Sequence, residues 1–317
     1  MAPGRFGEAA RIENRTKCTD DDAAAGSGLD LLAMTLLPEP SPPDVVVHQA
    51  LQTSRVGVQV RVYEWTEASE DSGWVPPLCY LDLSLTARPD QARGWYRERW
   101  RPGRSELIGD VMFVPASLDF RGSHGPGRQT SLTLFLAPEL FSLELGSLQD
   151  AALAEGLHVS DDEVRLGLWR LAAEVRRPRL ASPLAMEVAA ISIAERLERH
   201  LAKAPPRTGP KRGGLPPSRM RLIEERLRAD LPAPSVAELA ALCGLSQRQL
   251  ARAFREEAGQ SIGRRVGAAG LQRAWRLLTE TSLSIKEVAH TLGFCSSASF
   301  AAAFRGATGR RPSEMRV

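Results

Sequence analysis

Between residues 44 and 138 apolar and polar positions alternate with a period of two. Val56, Val58, Val60 and Val62 alternate with Gly57, Gln59, Arg61 and Tyr63. Leu81, Leu83 and Leu85 alternate with Asp82, Ser84 and Thr86, and Leu132, Leu134 and Leu136 are separated by Thr133 and Phe135. A short run, Val111 to Val114, stops at Pro115. This pattern predicts half-buried antiparallel strands with one apolar face and one polar or mixed face. Several such strands between turn-like breaks suggest a sandwich or small barrel. The period then lengthens. Val164, Leu168, Leu171 and Val175 fall at helical spacing, as do Leu184, Val188, Ile191, Leu197 and Leu201. Two readings of this helix pair stand together: packing against its own β-domain, and pairing with a second copy.

The helical pattern continues to the C-terminus and there repeats itself. Ser235, Glu238, Ala240, Gly244, Leu250, Phe254, Arg255 and Gly259 are matched by Ser284, Glu287, Ala289, Gly293, Phe300, Phe304, Arg305 and Gly309. In each copy the Ser and the Glu three residues later predict a capping box that opens a helix. The small residue that follows allows a second helix to cross closely. The glycine suits a left-handed helix end. The paired apolar residues at i and i+4 give the next helix one buried face. Helix, tight turn and helix, twice over, is the pattern of a nucleic-acid-reading motif whose second helix enters the major groove. The outward positions differ between the copies. Ser246, Gln247, Arg248, Gln249, Arg252 and Arg255 are side-chain types that bond base edges and phosphates. Ser296, Ser297, Ala298, Ser299 and Ala302, with Arg305 behind, form a smaller and nearly uncharged surface. Sequence reading is therefore expected mainly from the first copy.

Charge supports this reading. Residues 219–317 hold 16 Lys and Arg against 9 Asp and Glu, while the remainder holds 25 against 29. Clustered positive charge is the footprint of phosphate binding. Residues 1–28 are rich in Ala, Gly and Asp without periodicity and are expected to be a disordered tail. Residues 204–217, with eight Pro and Gly among them and Lys211 and Arg212 in the middle, read as a linker. The organisation is thus a tail, a β-plus-helix-pair domain over 29–203, the linker, and an all-α domain over 218–317. Its helix-turn-helix units span 235–257 and 284–306, and the fold class is α+β with two domains.

Residues 219–317 resemble the DNA-binding domain of AraC/XylS-type transcription regulators. The strongest match is the run from Ser284 to Phe294, followed by Phe300, Phe304, Arg305, Gly309 and Pro312 to Arg316. The resemblance implies a seven-helix domain, two recognition helices in successive major grooves, and a long helix joining the two units. This chain departs from the pattern at Ala298 and Ala302, where the family often carries Ser and Arg. It departs also at Ile262, Gly270 and Met315, where Pro, Arg and an aromatic residue are usual. The order of elements over 29–203 is similar to the cupin-like sensor and dimerisation domain of many such regulators. The resemblance further implies double-stranded DNA as partner, with RNA polymerase, a small-molecule effector and a second copy of the chain as additional ones.

Other chemistry is sparse. His48, His124, His158 and His200 form no ligand-like pair, so neither a metal nor another cofactor is expected. No nucleophile elbow or phosphate-cradling glycine loop is present, and no enzyme is expected. His124 reads as part of a solvated turn. Cys18, Cys79, Cys243 and Cys295 are far apart and are expected to be buried reduced thiols. No apolar run reaches membrane-span length, so a cytoplasmic protein without membrane contact is expected. The stretch from Trp95 to Arg101, dense in Arg and aromatics, is either the lining of an effector pocket or a solvated strand edge. Tyr80, Asp82, Arg97 and Arg99 are the effector-pocket candidates, with Trp74 beside them.

Overall fold

The computed structural model describes residues 44–89, 92–178, 181–204, 214–229 and 232–316. The expected tail at 1–28, Cys18, and linker residues 205–213 with Lys211 and Arg212 lie outside these.

Nine strands build the N-terminal domain: β1 (Asp44–Gln52), β2 (Val56–Trp65), β3 (Ser69–Trp74), β4 (Cys79–Ser84), β5 (Arg93–Tyr96), β6 (Glu106–Leu107), β7 (Val111–Val114), β8 (Phe120–His124) and β9 (Gly127–Leu136). They form a five-stranded sheet in the order β1-β2-β9-β4-β7 and a four-stranded sheet in the order β3-β8-β5-β6. Every pairing is antiparallel. The ladders close no barrel among the described residues. The two sheets instead face each other as an open sandwich, with Trp74 and Tyr80 in edge contact across the gap at 5.4 Å.

The alternation read from the sequence has a clear meaning in this register. Val58, Leu134 and Leu81 lie side by side, as do Val60, Leu132 and Leu83. This apolar face is covered by α2 (Asp162–Arg176) and α3 (Ser182–Ala202), and a shorter helix, α1 (Asp150–Gly156), precedes them. Each Leu or Val buried here stabilises the fold by about 1.5–3 kcal/mol. The opposite face carries Gln59, Arg61, Asp82, Gln129, Ser131 and Thr133, and all six are buried. Alternation predicts that two faces differ, and it suggested a half-exposed polar one. The second sheet covers that face, so its polar groups must bond one another. Arg61 Nε donates to Gln59 Oε1 at 2.6 Å and Gln129 Nε2 donates to Ser131 Oγ at 2.6 Å.

The helix pair divides its apolar residues between two sides. In α2 all four periodic residues are buried. Asp161 caps its start by accepting from the amides of Glu163 and Val164. In α3 Met186, Ala190, Ile193, Leu197 and Leu201 are buried, whereas Leu184, Val188 and Ile191 are exposed at 68%, 58% and 43%. The single stripe expected for this helix is therefore two, one packed on the domain and one open.

The C-terminal domain contains α4 (Pro217–Arg228), α5 (Val236–Leu242), α6 (Gln247–Ala258), α7 (Ile262–Glu280), α8 (Ile285–Thr291) and α9 (Ser297–Thr308), then a 3-10 turn at Pro312–Met315. Its apolar residues fall into two clusters. Leu239, Leu250, Phe254 and Ile262 join Met220 and Ile223 of α4 in one. Trp275, Leu278, Val288, Phe300 and Phe304 belong to a second, which is continuous with the core of the N-terminal domain.

Candidate nucleic-acid interface

Both helix-turn-helix units close their turns in the same way. After α5 the Leu245 amide donates to Ala240 O at 2.9 Å and the Gly244 amide to Ala241 O at 3.0 Å. After α8 the Phe294 amide donates to Ala289 O and the Gly293 amide to His290 O, both at 2.9 Å. This paired ending requires a left-handed residue, and Gly244 (φ 62°) and Gly293 (φ 83°) supply it.

The helix starts differ from the sequence expectation at one place. Ser284 and Glu287 form the complete capping box. Ser235 accepts from the Glu238 amide, but the Glu238 carboxylate turns away to Arg226 Nε at 2.7 Å. A complete box appears instead at α6, where Ser246 Oγ accepts from the Gln249 amide and Gln249 Oε1 accepts from the Ser246 amide. In α9 Ser296 Oγ accepts from the Ser299 amide, and Ser299 Oγ donates back to Ser296 O. Four of the expected reading residues, Ser246, Gln249, Ser296 and Ser299, are thus bound up in caps. Gln247, Arg248, Arg252 and Arg255 remain exposed around α6 with no cap to hold. The exposed surface of α9 offers Ser297, Ala298, Ala302 and Arg305. The inequality between the copies is sharper in three dimensions than in sequence.

The family model for a helix-turn-helix domain matches residues 239–317. The HTH-type transcriptional regulator GlxA of Rhizobium meliloti is 38% identical over 78 residues, 25% of this chain and 24% of that protein. The chain therefore matches about a quarter of the length of this curated relative. Among solved structures, an AraC-type transcriptional regulator from Chromobacterium violaceum is 29% identical over 31% of this chain and 89% of its own, with a TM-score of 0.29. The DNA-binding domain of AdpA, in complex with a target DNA, is 27% identical over 30% of this chain and 86% of its own, with a TM-score of 0.28. Residues 239–317 are thus similar to the helix-turn-helix domains of transcription regulators.

The helix-turn-helix domain is docked on the sandwich and its helices along α7, α9 and the final turn. Trp275 of α7 packs on Trp169 of α2 at 5.2 Å, and Arg176 lies over the Trp275 ring at 5.4 Å. Gln272 Nε2 donates to Ser84 O at the end of β4 at 3.0 Å. Arg264 pairs with Asp162 and Arg310 with Glu174. Arg265 is 9% exposed and is held by Glu224 at 2.5 Å and Asp110 at 3.6 Å. Burial opposes its charge, but these two carboxylates outweigh that and raise its pKa above the ordinary arginine value. The C-caps of both recognition helices also rest on the N-terminal domain. A Cβ on Gly259 (φ 67°) would meet His158 Nε2 at 2.3 Å, and one on Gly309 (φ 72°) would meet Arg170 Nε at 2.6 Å. None of these contacts was visible in the sequence. The only hints were the tryptophan in the joining helix and the paired arginines at 264–265.

The effector candidates separate. Tyr80 and Asp82 lie on the polar interior of the sandwich. Tyr80 shares a hydrogen bond with Tyr63 at 3.2 Å, and burial first, then the neighbouring Asp82, pushes its pKa up. Trp74 Nε1, Asp82 Oδ2 and Thr133 Oγ1 are buried there without a hydrogen-bond partner. Arg97 is exposed, and Arg99 donates to the carbonyls of Gly146 and Leu148 at 2.7 Å each. Within the 95–101 stretch Tyr96 and Trp100 are core residues at 1% and 5% exposure, while Arg97, Glu98 and Arg101 are exposed. Cys79 is buried, and that burial pushes its thiol up to about 12, while burial also raises Cys243. Cys295 is exposed, contrary to expectation. His124 is half-buried against Trp65 at 4.9 Å rather than in a solvated turn, and burial lowers its pKa. Among the described residues no helix is long and apolar enough to cross a membrane, and no group of three His, Cys, Asp or Glu could hold a metal.

Proposed function

We propose that the protein is a sequence-specific, double-stranded-DNA-binding transcription regulator whose N-terminal domain senses an effector and pairs two copies. The observation that carries this is the surface of α6, where Gln247, Arg248 and Arg252 project from a helix fixed at both ends. These side chains suit adenine and guanine edges in the major groove. A regulator of this kind meets RNA polymerase at the promoter. The open stripe of Leu184, Val188 and Ile191 on α3 supports homodimerisation, since an apolar row at this spacing pairs well with its own copy.

The sensing role rests on the polar interior of the sandwich, with its unpartnered Asp82, Thr133 and Trp74 atoms. A bonded path leads from there to the DNA-binding domain. Arg88 donates from Nη2 to Asp82 Oδ1 and from Nε to Gly109 O. The next residue, Asp110, takes Arg265 and Gln272 of α7. An effector that competes for Asp82 would loosen Arg88 and, through residues 109–110, the seat of α7. Its influence on DNA affinity equals its differential affinity for the two arrangements.

The decisive measurement selects DNA sites with the full chain from a random library and titrates them over a range of salt. Binding should fall steeply with salt through counterion release. Flat salt dependence, or selection of no sequence, refutes the reading. If isolated residues 219–317 and the full chain bind the selected site equally under all conditions, the sensing half is wrong while the DNA-binding half survives.

A further inference from the structure

A cavity of about 430 Å³ lies in the seam between the N-terminal and C-terminal domains. That volume is within the range of small-molecule sites. Four elements wall it: the end of β4, α2, α7 and α9. Leu83, Leu166, Trp169 and Leu271 give it an apolar body. Gly267 and Gly306 complete the wall. Neither glycine takes a positive φ, and a Cβ on either would meet nothing within 4 Å. Backbone geometry and close packing therefore give no reason for them, and their missing side chains leave the space open.

One polar group in this wall is incomplete. Gln272 is 5% exposed, and its Nε2 donates to Ser84 O at 3.0 Å and to Asp110 Oδ1 at 3.4 Å. Two acceptors on one side settle which end of the amide is the nitrogen. The other end, Oε1, is buried without a hydrogen-bond partner. A buried acceptor left without a donor is destabilising, and a ligand N–H or O–H relieves it. The surrounding charges decide what kind of molecule can bring that donor. Arg165 and Arg264 both pair with Asp162. Asp110 faces Arg265, and Glu163 adds an exposed carboxylate. Among the described lining residues three carboxylates thus meet two guanidinium groups, which disfavours an anion.

We infer that this seam binds a small planar molecule, uncharged or cationic, whose hydrogen-bond donor reaches Gln272 Oε1 and whose ring lies among Leu166, Trp169 and Leu271. Trp169 is the wall that favours a planar ring, because aromatic pairs attract beyond the area they bury. Such a ligand touches both domains at once and tightens their docking. Gln272 and Asp110 are also the joint through which an effector in the sandwich interior would loosen α7. The two inputs would therefore oppose each other at one place. That regulatory role rests on the proposed function above, but the binding itself does not. Solvent is the rival occupant.

Full-length protein is titrated by calorimetry with indole and with tryptamine, and the thermal midpoint gives a second readout. The controls are 1-methylindole, which lacks the donor, and indole-3-acetate, which carries a negative charge. At least one of the first two should bind saturably at a single site and raise the midpoint. Each control should bind about tenfold more weakly or worse, the equivalent of about 1.4 kcal/mol. Gly306→Leu and Leu166→Trp fill the cavity from opposite walls, and each should weaken binding by a similar factor. Leucine is a better helix former than glycine, so Gly306→Leu should not lower the midpoint of the unliganded protein. No saturable binding of indole or tryptamine overturns the inference and leaves the cavity to solvent. Equal binding of either control overturns it too, as does binding retained by both filled variants. Binding by a protein that selects no DNA would sink the proposed function and leave this site standing.

Discussion

The two helix-turn-helix units share a backbone and differ in nearly everything attached to it. Their turns carry the same pair of hydrogen bonds and the same left-handed glycine, and each recognition helix buries two apolar residues four apart. Outside that frame they part. The first unit has its own small core with α4, touched from the sandwich by Leu107, and presents Gln and Arg outward. The second is built into the main core of the molecule and presents Ser and Ala. A duplicated motif can thus keep its fold while one copy exposes Gln and Arg and the other is built into the main core. The buried positions answer to packing, which both copies still need, and the exposed ones answer only to partners.

The largest test of this contrast removes one core aromatic from each unit. Phe254→Ala and Phe304→Ala should each cost about 3–5 kcal/mol locally. Only Phe304→Ala should reach the N-terminal domain, seen as faster hydrogen exchange in the amides of α2. Equal exchange in α2 for both variants would mean that the two cores are not separate. Next in size, Arg248→Ala and Arg252→Ala should each weaken binding to the selected DNA site by about 1–3 kcal/mol. Ser299→Ala should change it by under about 0.5 kcal/mol, as read by fluorescence anisotropy. Comparable losses from all three would restore two equal reading heads.

A smaller effect concerns the helix between the units. Gly263, Gly267 and Gly270 stand where an added Cβ would meet nothing within 4 Å, so close packing does not explain them. Gly270→Ala should stabilise by about 1 kcal/mol and leave DNA affinity unchanged if the first unit dominates recognition. A loss of affinity despite the added stability would show that α7 must bend to bring the second unit to DNA. The smallest effect is a pH dependence confined to the second unit. The hydroxyl and amide of Ser284 hold the Glu287 carboxyl below its ordinary value of 4.5. Its contribution is complete above that value and is lost as the pH falls through the lower folded pKa. An NMR titration should show the Ser284 amide shifting below pH 4.5, and Glu287→Gln should flatten that response. A Ser284 amide that shifts no differently in the variant would remove the carboxylate as its cause.

Much of this was legible in the sequence, and what was not has a common cause. The glycines at 244 and 293 and the aromatic pair 300/304 are constrained by neighbours within a few residues, so their spacing alone identifies them. Glu238 was misread because its competitor, Arg226, lies twelve residues upstream and only the fold brings it near. The stripes of α3 were merged because Leu184 and Leu197 look alike until something covers one of them. The polar strand face was read as half-exposed because alternation does not say that a second sheet lies above. Among the reading residues, Gln249 and Ser299 have the right chemistry for a base, and local capping claims them first. The docking of Gln272 and Arg265 depends on contacts more than a hundred residues apart and leaves no periodic trace.

The seats of Gly259 on His158 and of Gly309 on Arg170 bear on how far the two halves of this chain are interchangeable. Each recognition helix is gripped at its far end by a residue of the other domain, while its leading end is left open. Grafted onto a foreign partner, the C-terminal half would keep its helices but lose both stops. Their mutual tilt would then depend on α7 alone. The chain is modular in its sequence and not in its mechanics: the piece that reads was shaped together with the piece that holds it.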